Sequence, residues 1–598
     1  MISNEKSGYN RFLLLVAGLG GLLYGVDVGI ISGALPYLEA TSGLNAGQLS
    51  IVVAAVLLGS VISTLFAGVL ADWIGRKPLM ALSGLLFVLS IPVIALSHDY
   101  QALVLGRLLQ GVSAGLIGVV VPLYLAECLA ASSRGKGTGI FQWLLTLGIV
   151  TAAIVAIYFS VRVQEVSKLG DAAQLFAFKD KAWRSIFWVS LPPGVLFVIG
   201  SLMVSESPRW LYRRGKKEAA YAALLRSRVT QQADIELAEI EQATAAEKMK
   251  TSGGTNIRES LLRRKYVIPF VLACVILACN QATGINSIIG YNTNILLQSG
   301  LSDVQAHWGY VVFTIVNFLM TIVGVLLVDR KGRKFLLSVG SAGIIVSLLC
   351  TGMLFRRTES QRVDSTGIVQ SMVDTDQKVT LVYDEGAASK LLAASGTAGN
   401  AMSGQPTTLV VIYSYGDFRA ATKAARSDDK TGTPIEITRA SCVPANKVVA
   451  FFSNPFSNLD AARTAPLRID NALITPVPST HNGWLVAISL FVFMSFFAIG
   501  PGVCVWLALS ELMPTRIRSN GMSIALLINQ AVATTIAAVF LPTVGKYGYS
   551  TMFFCFAAFT VVYFITAAVF LPETKGKTLE EIEARFEGVP RAAAPSNG

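Results

Sequence analysis

Long runs of apolar residues, separated by short polar segments, dominate the pattern of the chain. A helix needs about 20 apolar residues to cross a hydrocarbon core of roughly 30 Å. Twelve runs qualify, at residues 11–33, 49–70, 78–97, 102–126, 137–160, 185–204, 267–297, 306–328, 335–355, 485–509, 520–541 and 548–571. The pattern predicts an all-α membrane protein with twelve transmembrane helices. The first run is too long for a signal peptide and is expected to remain as the first helix.

The composition and the placement of charge support this interpretation. Of 598 residues, 53% are hydrophobic and 14% are charged, whereas soluble domains carry about a quarter of their residues as charges. Lys and Arg crowd alternate loops, as in Arg76-Lys77 and Arg333-Lys334, and the opposite loops 32–50 and 298–309 contain neither. The positive-inside bias therefore predicts that these basic loops and both termini are cytoplasmic, with the chain multi-pass in the inner (plasma) membrane. The net charge of +12 is explained by topology and gives no reason to expect a nucleic-acid partner.

The sequence repeats itself in two halves. The segment 68–77 after the second predicted helix recurs as 325–334 after the eighth, and Glu127 with Arg134 recurs as Glu511 with Arg518. The second pair of motifs lies further apart than the first, and the difference predicts an insertion at 356–482, between helices 9 and 10. The expected domains are a six-helix half (1–205), a cytoplasmic linker with short helices (206–265), helices 7–9 (266–355), the extracytoplasmic insertion (356–482), helices 10–12 (483–571) and a cytoplasmic tail (572–598).

The insertion and the linker read differently from the membrane segments. Segments 378–383 and 407–415 have the β-branched or alternating pattern of strands, which predicts a small α+β or all-β cap. The cap is either a solvated decoration or a part of the working protein, and the sequence leaves both open. Segments 216–227 and 233–249 of the linker are expected to be helices that brace the inner helix ends.

Several motifs, in order, resemble those of a known family. Gly-Val-Leu-Ala-Asp72-Trp-Ile-Gly-Arg76-Lys77 resembles the loop signature of the major facilitator superfamily. Gly106-Arg107 through Glu127, Glu206-Ser-Pro208-Arg209-Trp210, Gln281-Ala-Thr-Gly284-Ile-Asn286, Gly500-Pro501 through Trp506, and Pro572-Glu573-Thr574 resemble the sugar porter family. The resemblance covers both halves and not the insertion. It implies the major facilitator fold and transport of a sugar or polyol without a cofactor.

Charged residues at the inner helix ends predict a cytoplasmic gate. Acidic and basic side chains recur at matching places in the two halves, where they can pair in one state and separate in another, since partly buried pairs are only modestly stabilising. The candidates are Asp72, Arg76, Glu127, Arg134, Glu206, Arg209, Asp329, Arg333, Glu511 and Arg518. The alternative is that they only anchor the topology.

Asp27 and Arg107 are ionisable residues inside predicted membrane helices, and such residues are functional candidates by default. Each is the other's natural partner. The resemblance adds that proton-coupled sugar porters carry an acid at the position of Asp27, where passive glucose carriers have an amide. A change in the separation of the pair could load and release a proton. The alternative is a static buried ion pair.

Neutral polar residues within the predicted helices suit a polyhydroxylated ligand, because amides both donate and accept hydrogen bonds. The candidates for substrate binding are Gln142, Asn280, Gln281, Asn286, Asn317, Asn529 and Gln530, with Trp506 as an aromatic surface for sugar C–H groups. Any of the amides could instead join helices. The sequence departs from the family at Ile149, Gly290 and Gln530, so the sugar itself cannot be read.

The remaining expectations concern function class and partners. Seven cysteines without CxxC spacing predict no metal or redox site, although Cys350 and Cys442 could pair on the outer face. We expect a monomer in the lipid bilayer that binds a small sugar or polyol and a proton. The leading function is proton-coupled symport, and the alternatives are a passive facilitator and a non-transporting sugar sensor. Neither long loop carries a nucleophile–base or metal constellation, so an enzyme is not expected.

Overall fold

The computed structural model describes residues 7–129, 134–252, 263–396, 404–429, 434–444, 457–513 and 518–573, with single residues between and after these ranges. Within them, twelve helices are long and apolar enough to cross a membrane, here numbered as spans 1 to 12. Their bounds are Gly8–Thr41, Ala46–Ile74, Arg76–Ala95, Tyr100–Cys128, Gly139–Ser167, Ala172–Met203, Arg264–Gly290, Asp303–Val328, Arg333–Glu359, Thr480–Val505, Ile524–Tyr547 and Tyr549–Phe570. The twelve predicted spans are confirmed.

Three spans are interrupted, and the interruptions occur at Gly and Pro residues or at a turn before Pro. Span 6 consists of Ala172–Trp188 and Leu191–Met203. Span 7 consists of Arg264–Ala282 and Ile285–Gly290, with Asn292–Gln298 continuing it. Span 10 consists of Thr480–Ile499 and continues in Pro501–Leu512, and span 12 ends in a π-helical turn, Thr566–Phe570. Irregular backbone within a membrane bundle is tolerated where protein or a cavity surrounds it.

Span 6 begins at Ala172, earlier than the run 185–204 that hydropathy predicts. Asp171 accepts hydrogen bonds from the backbone N–H groups of Ala173 (2.9 Å) and Gln174 (3.1 Å), which starts the helix. Its first half is amphipathic, with Leu175 buried and charged residues on the other side. The charges interrupt the apolar run and hide this segment from a hydropathy count.

The segment between spans 9 and 10 folds around a core of its own. Five strands form an antiparallel sheet: β1 (Val363–Asp364), β3 (Thr407–Tyr415), β4 (Phe418–Ala421), β5 (Ala425–Arg426) and β7 (Leu467–Pro476), in the order β1-β7-β3-β4 with β5 also on β3. Strands β2 (Val379–Leu381) and β6 (Ile435–Ile437) pair separately, and short helices Thr366–Ser371, Glu385–Ala394 and Leu459–Thr464 pack on the sheets. The cap is α+β, and the strand predicted at 407–415 is confirmed.

We call the side of the bundle that carries the insertion the cap face, and the opposite side, with the Arg76-Lys77 and Arg333-Lys334 turns, the basic face. Between spans 6 and 7 the helices Pro208–Arg213, Lys217–Ser227 and Thr230–Ser252 lie at the basic face. Among the described residues, one buried apolar cluster joins both halves toward the cap face, including Tyr37 and Tyr310. Toward the basic face the buried side chains form two separate clusters, one in each half. Among the described residues, the buried apolar cluster that joins the two halves therefore lies toward the cap face.

Candidate functional site: a buried ion pair, an amide cluster and two clasps

Asp27 of span 1 and Arg107 of span 4 meet inside the first half. Their side chains are 1% and 2% exposed, and Arg107 Nη1 lies 3.8 Å from Asp27 Oδ1. The guanidinium also donates to Gln110 Oε1 (2.6 Å) and lies over the ring of Phe187, 5.6 Å from its centre. The pair predicted from the sequence is therefore brought together, with the arginine held more closely by its other neighbours than by the carboxyl group.

The carboxyl group of Asp27 is poorly satisfied. Neither of its oxygens has a hydrogen-bond partner among the described residues. Burial of an unpaired charge is expensive, whereas an ion pair with good hydrogen bonds can repay the cost. At 3.8 Å the contact with Arg107 is longer than a charge-assisted hydrogen bond. This geometry suits a carboxyl group whose charge is not permanent.

Amide side chains cluster where span 7 breaks. Gly284 has φ +83°, which favours glycine, and a Cβ there would lie 2.4 Å from the ring of Phe556. On either side of the break, Asn286 Nδ2 donates to Gln281 Oε1 (2.8 Å), and Gln281 Nε2 donates to Asn529 Oδ1 of span 11 (3.2 Å). The side chains of Gln281 and Asn286 are only half-buried. Donors and acceptors are thus lined up at an accessible place within the bundle.

The other predicted ligand residues are distributed unevenly. Gln142 is exposed on span 5. Its neighbour Trp143 contacts Phe318 of span 8, in the other half, with the centres of the two rings 5.4 Å apart. Asn280 and Asn317 are buried, and Gln530 is half-buried. The Trp506 side chain lies outside the described residues. Among the described side chains of this set, Gln281, Asn286 and Asn529 are the ones joined to each other by hydrogen bonds.

At the basic face of the first half, one arginine holds together the ends of three spans. Arg76 binds Glu127 through both side-chain oxygens (2.9 Å each) and Asp72 at 2.8 Å. Ser207 Oγ donates to Glu127 Oε2 at 2.5 Å. We call this group, with Glu206, the first clasp. All its members belong to the first half or to the start of the linker that follows span 6.

Glu206 closes the tight turn between spans 2 and 3. Gly75 has φ +103°, and a Cβ on it would lie 2.3 Å from Glu206 Oε2. Glu206 Oε1 accepts hydrogen bonds from the backbone N–H groups of Arg76 (3.0 Å) and Lys77 (3.2 Å), the first residues of span 3. Burial raises the pKa of Glu206, and these N–H groups and the Arg76 charge oppose the increase. The carboxylate acts as a cap for span 3.

The second half has the same arrangement around Glu573, which the sequence reasoning did not name as a gate residue. Gly332 has φ +88°, and a Cβ on it would lie 2.5 Å from Glu573 Oε2. Glu573 accepts from the backbone N–H groups of Arg333 and Lys334, 3.2 Å each. Glu573 follows span 12 as Glu206 follows span 6, so the internal repeat could have revealed it. We call this group the second clasp.

Of the remaining gate candidates, Arg209 is exposed at the basic face. The side chains of Arg134, Asp329, Glu511 and Arg518 lie outside the described residues. Their predicted pairing therefore remains a prediction.

The two halves are joined by polar contacts at the cap face that the sequence did not reveal. Tyr37 Oη (2.8 Å) and Ser160 Oγ (2.6 Å) of the first half both donate to Asp303 Oδ2 at the start of span 8. Tyr310 Oη donates to the carbonyl oxygen of Gly29 (2.9 Å), and the His307 ring stacks on that of Tyr37. We call these contacts the cap-face seal. Hydroxyl groups near the outer ends of spans are its only signal in the sequence.

The described residues contain no group of three or more His, Cys, Asp or Glu that could hold a metal ion. In the same residues all seven cysteines are free, Cys350 and Cys442 included. The disulfide considered from the sequence is therefore not formed in this structure: Cys350 is exposed on span 9, and the Sγ of Cys442 contacts the carbonyl oxygen of Phe418 within the cap.

Comparisons with known proteins agree with this architecture. The profile of the family described as "Sugar (and other) transporter" matches residues 13–373 and 471–586, and the unmatched stretch between them lies in the insertion. The human proton myo-inositol cotransporter is 28% identical over 597 residues, covering 98% of this chain and 83% of that protein. Glucose transporter GlcP of Staphylococcus epidermidis is 26% identical, covering 96% and 97%. These relatives are transporters, not enzymes.

Solved structures have the same fold. The inward open conformation of the xylose transporter XylE from E. coli matches with a TM-score of 0.61 at 19% identity, covering 96% of this chain and 98% of that one. The fold is that of the major facilitator superfamily, with twelve spans in two halves and an insertion between spans 9 and 10. Since the family profile covers most of the sequence, the chain belongs to the sugar transporter family, the sugar porters of the major facilitator superfamily.

Proposed function

We propose that the chain imports a sugar or polyol together with a proton by alternating access. The observation that carries the proposal is the Asp27–Arg107 pair, buried within the membrane at 3.8 Å with both carboxylate oxygens lacking a hydrogen-bond partner among the described residues. Ionisable groups at this depth are rare and tend to belong to ion or proton pathways.

The amide cluster supports a polyhydroxylated substrate. Gln281, Asn286 and Asn529 already exchange hydrogen bonds with one another. A sugar hydroxyl both donates and accepts, so it can replace these contacts one for one without leaving a buried amide unsatisfied. The relatives point the same way, since those cited above carry inositol, glucose or xylose in their names. We assign Gln142, Asn280, Asn317, Trp506 and Gln530 to the same site as supporting contacts.

Proton coupling follows from the separation of the ion pair. When Arg107 is held by Gln110 and Phe187, the charge of Asp27 is weakly compensated and a proton on the carboxyl group removes the cost. When the helices rearrange and the arginine approaches, the proton is released. Movement of a proton down its gradient would then drive uptake of the sugar.

The membrane orientation completes the proposal. The basic face, both termini and the linker 206–265 are placed in the cytoplasm of the inner (plasma) membrane, and the cap at 356–482 outside, by the positive-inside bias. The two six-helix halves, 1–205 and 266–355 with 483–571, would rock about a site between them. The protein is proposed to work as a monomer.

A passive facilitator is the second candidate, and one observation favours it. A facilitated glucose transporter of Mus musculus, solute carrier family 2 member 12, is 26% identical over 578 residues. The two functions differ only in whether the proton gradient can concentrate the sugar.

The test is uptake of radiolabelled glucose, xylose and myo-inositol into proteoliposomes, with and without an acidic exterior. The parent should accumulate at least one of them against its gradient. Asp27→Asn keeps the shape but cannot titrate, so it should lose accumulation and retain exchange of internal for external sugar. Asp460→Asn removes an acid that is 70% exposed on the cap and serves as the control. Accumulation by the Asp27→Asn variant would overturn the coupling, and equilibration without accumulation by the parent would identify a facilitator.

A further inference from the structure

The insertion is built onto the second half. Both of its ends continue into spans of that half, 9 and 10. Its Arg426 Nη1 donates to the carbonyl oxygen of Leu297 (3.2 Å), and Gly545 of span 11 lies against Ala421, where a Cβ would be 3.3 Å from the alanine methyl group. Ile412 and Ala421 also join the buried apolar cluster of the bundle. In a movement of one half against the other, the cap would travel with the second half.

The cap nevertheless makes polar contacts with the first half. Asn45 Nδ2, before span 2, donates to the carbonyl oxygen of Ser441 at 2.5 Å. The Lys423 ammonium donates to the carbonyl oxygen of Glu39 at the end of span 1 (3.0 Å). Lys179 of span 6 lies 3.5 Å from Asp429. These three contacts, which we call the latch, lie outside the cap-face seal.

Glu39 connects the latch directly to the second half. Its carboxylate accepts a hydrogen bond from Asn294 Nδ2 of the second half at 2.5 Å, while its backbone oxygen accepts from Lys423. Burial lowers the pKa of Lys423, and Glu39 and Asp429 oppose the decrease. The ammonium group thus faces acids of both the first half and the cap, and the Lys179 charge adds to the decrease.

The latch borders a cavity of about 450 Å³. The cavity separates the cap from the cap-face ends of spans 1, 5, 6, 7 and 8, and Glu39, Lys179, Lys423 and Asp429 all line it. Around this cavity the cap meets the first half at polar points. Partly exposed polar contacts of this kind are individually weak, so they can form and break in each cycle.

We propose that the insertion is a latch between the halves, which stabilises the state closed at the cap face and must release the first half before the protein opens there. The inference rests on the alternating access proposed above. The cap would then set the equilibrium between the states closed and open at the cap face, and with it the rate at which the empty carrier opens at that face.

The experiment measures distances between spin labels on the two halves by double electron–electron resonance. His98→Cys and Lys546→Cys place labels at exposed cap-face positions after span 3 and at the end of span 11, in a background with Cys350, Cys442 and Cys555 replaced by Ser. The variant N45D/K179Q/K423Q removes the latch. Asp at position 45 still caps span 2 through a side-chain oxygen, as Asn45 does for the Gln48 N–H, but loses the donor to Ser441. The control is K378Q/K390Q, which changes two exposed lysines elsewhere on the cap.

Without substrate, we expect the ratio of long to short distances to rise about tenfold or more in the latch variant and to stay at the parent value in the control. Lys179→Asp alone should also raise it, and Lys179→Asp with Asp429→Lys should bring it back, which a mere loss of cap stability would not do. An unchanged ratio in the latch variant, in a parent that opens on changing sugar and pH, would overturn the latch alone. A parent that never populates the long distance under any condition would overturn alternating access, and the latch with it.

Discussion

Replacing Gln281 by Ala is the sharpest test of the substrate site. The side chain accepts from Asn286 (2.8 Å) and donates to Asn529 (3.2 Å), so its removal leaves one donor and one acceptor without their present partner. In the proposed bound state the substitution also removes a contact to the sugar. A buried group left unsatisfied costs about 1–3 kcal/mol, which corresponds to a loss of affinity of roughly fivefold to 150-fold at about 1.4 kcal/mol per factor of ten.

The assay is equilibrium binding to the solubilised protein over a panel of hexoses, pentoses and polyols. Gln281→Glu tests the two hydrogen bonds separately. The new side chain can still accept from Asn286, but its carboxylate lies against the Asn529 oxygen, so this variant should bind sugar more weakly than the parent. Gln174→Ala removes an exposed amide near the start of span 6 and should change nothing. Parent-like affinity of Gln281→Ala for every compound that the parent binds would refute the placement of the site.

Three further predictions follow from the fold. Glu573→Ala should lower the melting temperature and cost about 1–3 kcal/mol of stability, because two N–H groups at the start of span 9 lose their acceptor. Scanning fluorimetry measures the melting temperature, and Glu573→Gln should lower it less. Gly75→Ala should cost about 1–3 kcal/mol, since φ is +103° there and the methyl group would meet Glu206; wild-type melting would contradict it. Replacing residues 360–478 by a short Gly-Ser linker should leave a protein that still inserts into the membrane and binds sugar, because the cap has its own apolar core. Size-exclusion chromatography of the solubilised protein and a ligand-binding assay test this. If the shortened protein no longer enters the membrane or no longer binds sugar, the transmembrane bundle needs the cap.

The sequence predicts the spans well because each depends on local composition. A run of apolar residues must form helix in a bilayer, where no other open structure satisfies the backbone. The prediction is wrong only in extent, as at Ala172–Trp188, where charges on one side of an amphipathic helix break the run. The Gly284 break could be anticipated for the same local reason, since a glycine between two helical stretches permits a positive φ.

The contacts between distant segments could not be predicted. Asn45 and Ser441 are 396 residues apart, and nothing in either sequence neighbourhood indicates the other. The Asp27–Arg107 pair was an exception, because two ionisable residues inside apolar runs have few alternatives. Glu573 was quoted within a motif but not assigned a role, since its partners are backbone N–H groups that no side-chain pattern marks.

The distribution of these contacts indicates which parts of the protein can move. The clasps at the basic face join residues of the same half, so each can persist while the halves rock. The polar contacts described between the halves, by contrast, lie at the cap face, where the seal, the latch and the shared apolar cluster are found. The Trp143–Phe318 ring contact is a further contact between the halves. Toward the basic face the apolar clusters are separate. In the proposed cycle, opening at the cap face therefore breaks several polar contacts and exposes shared apolar surface, whereas the clasps need not break. In the proposed cycle, spans 1 and 7 can carry the effect of a sugar and a proton to this face. Span 1 holds both Asp27 and Glu39, and span 7 holds Gln281 and Asn286 and continues in the helix that contains Asn294.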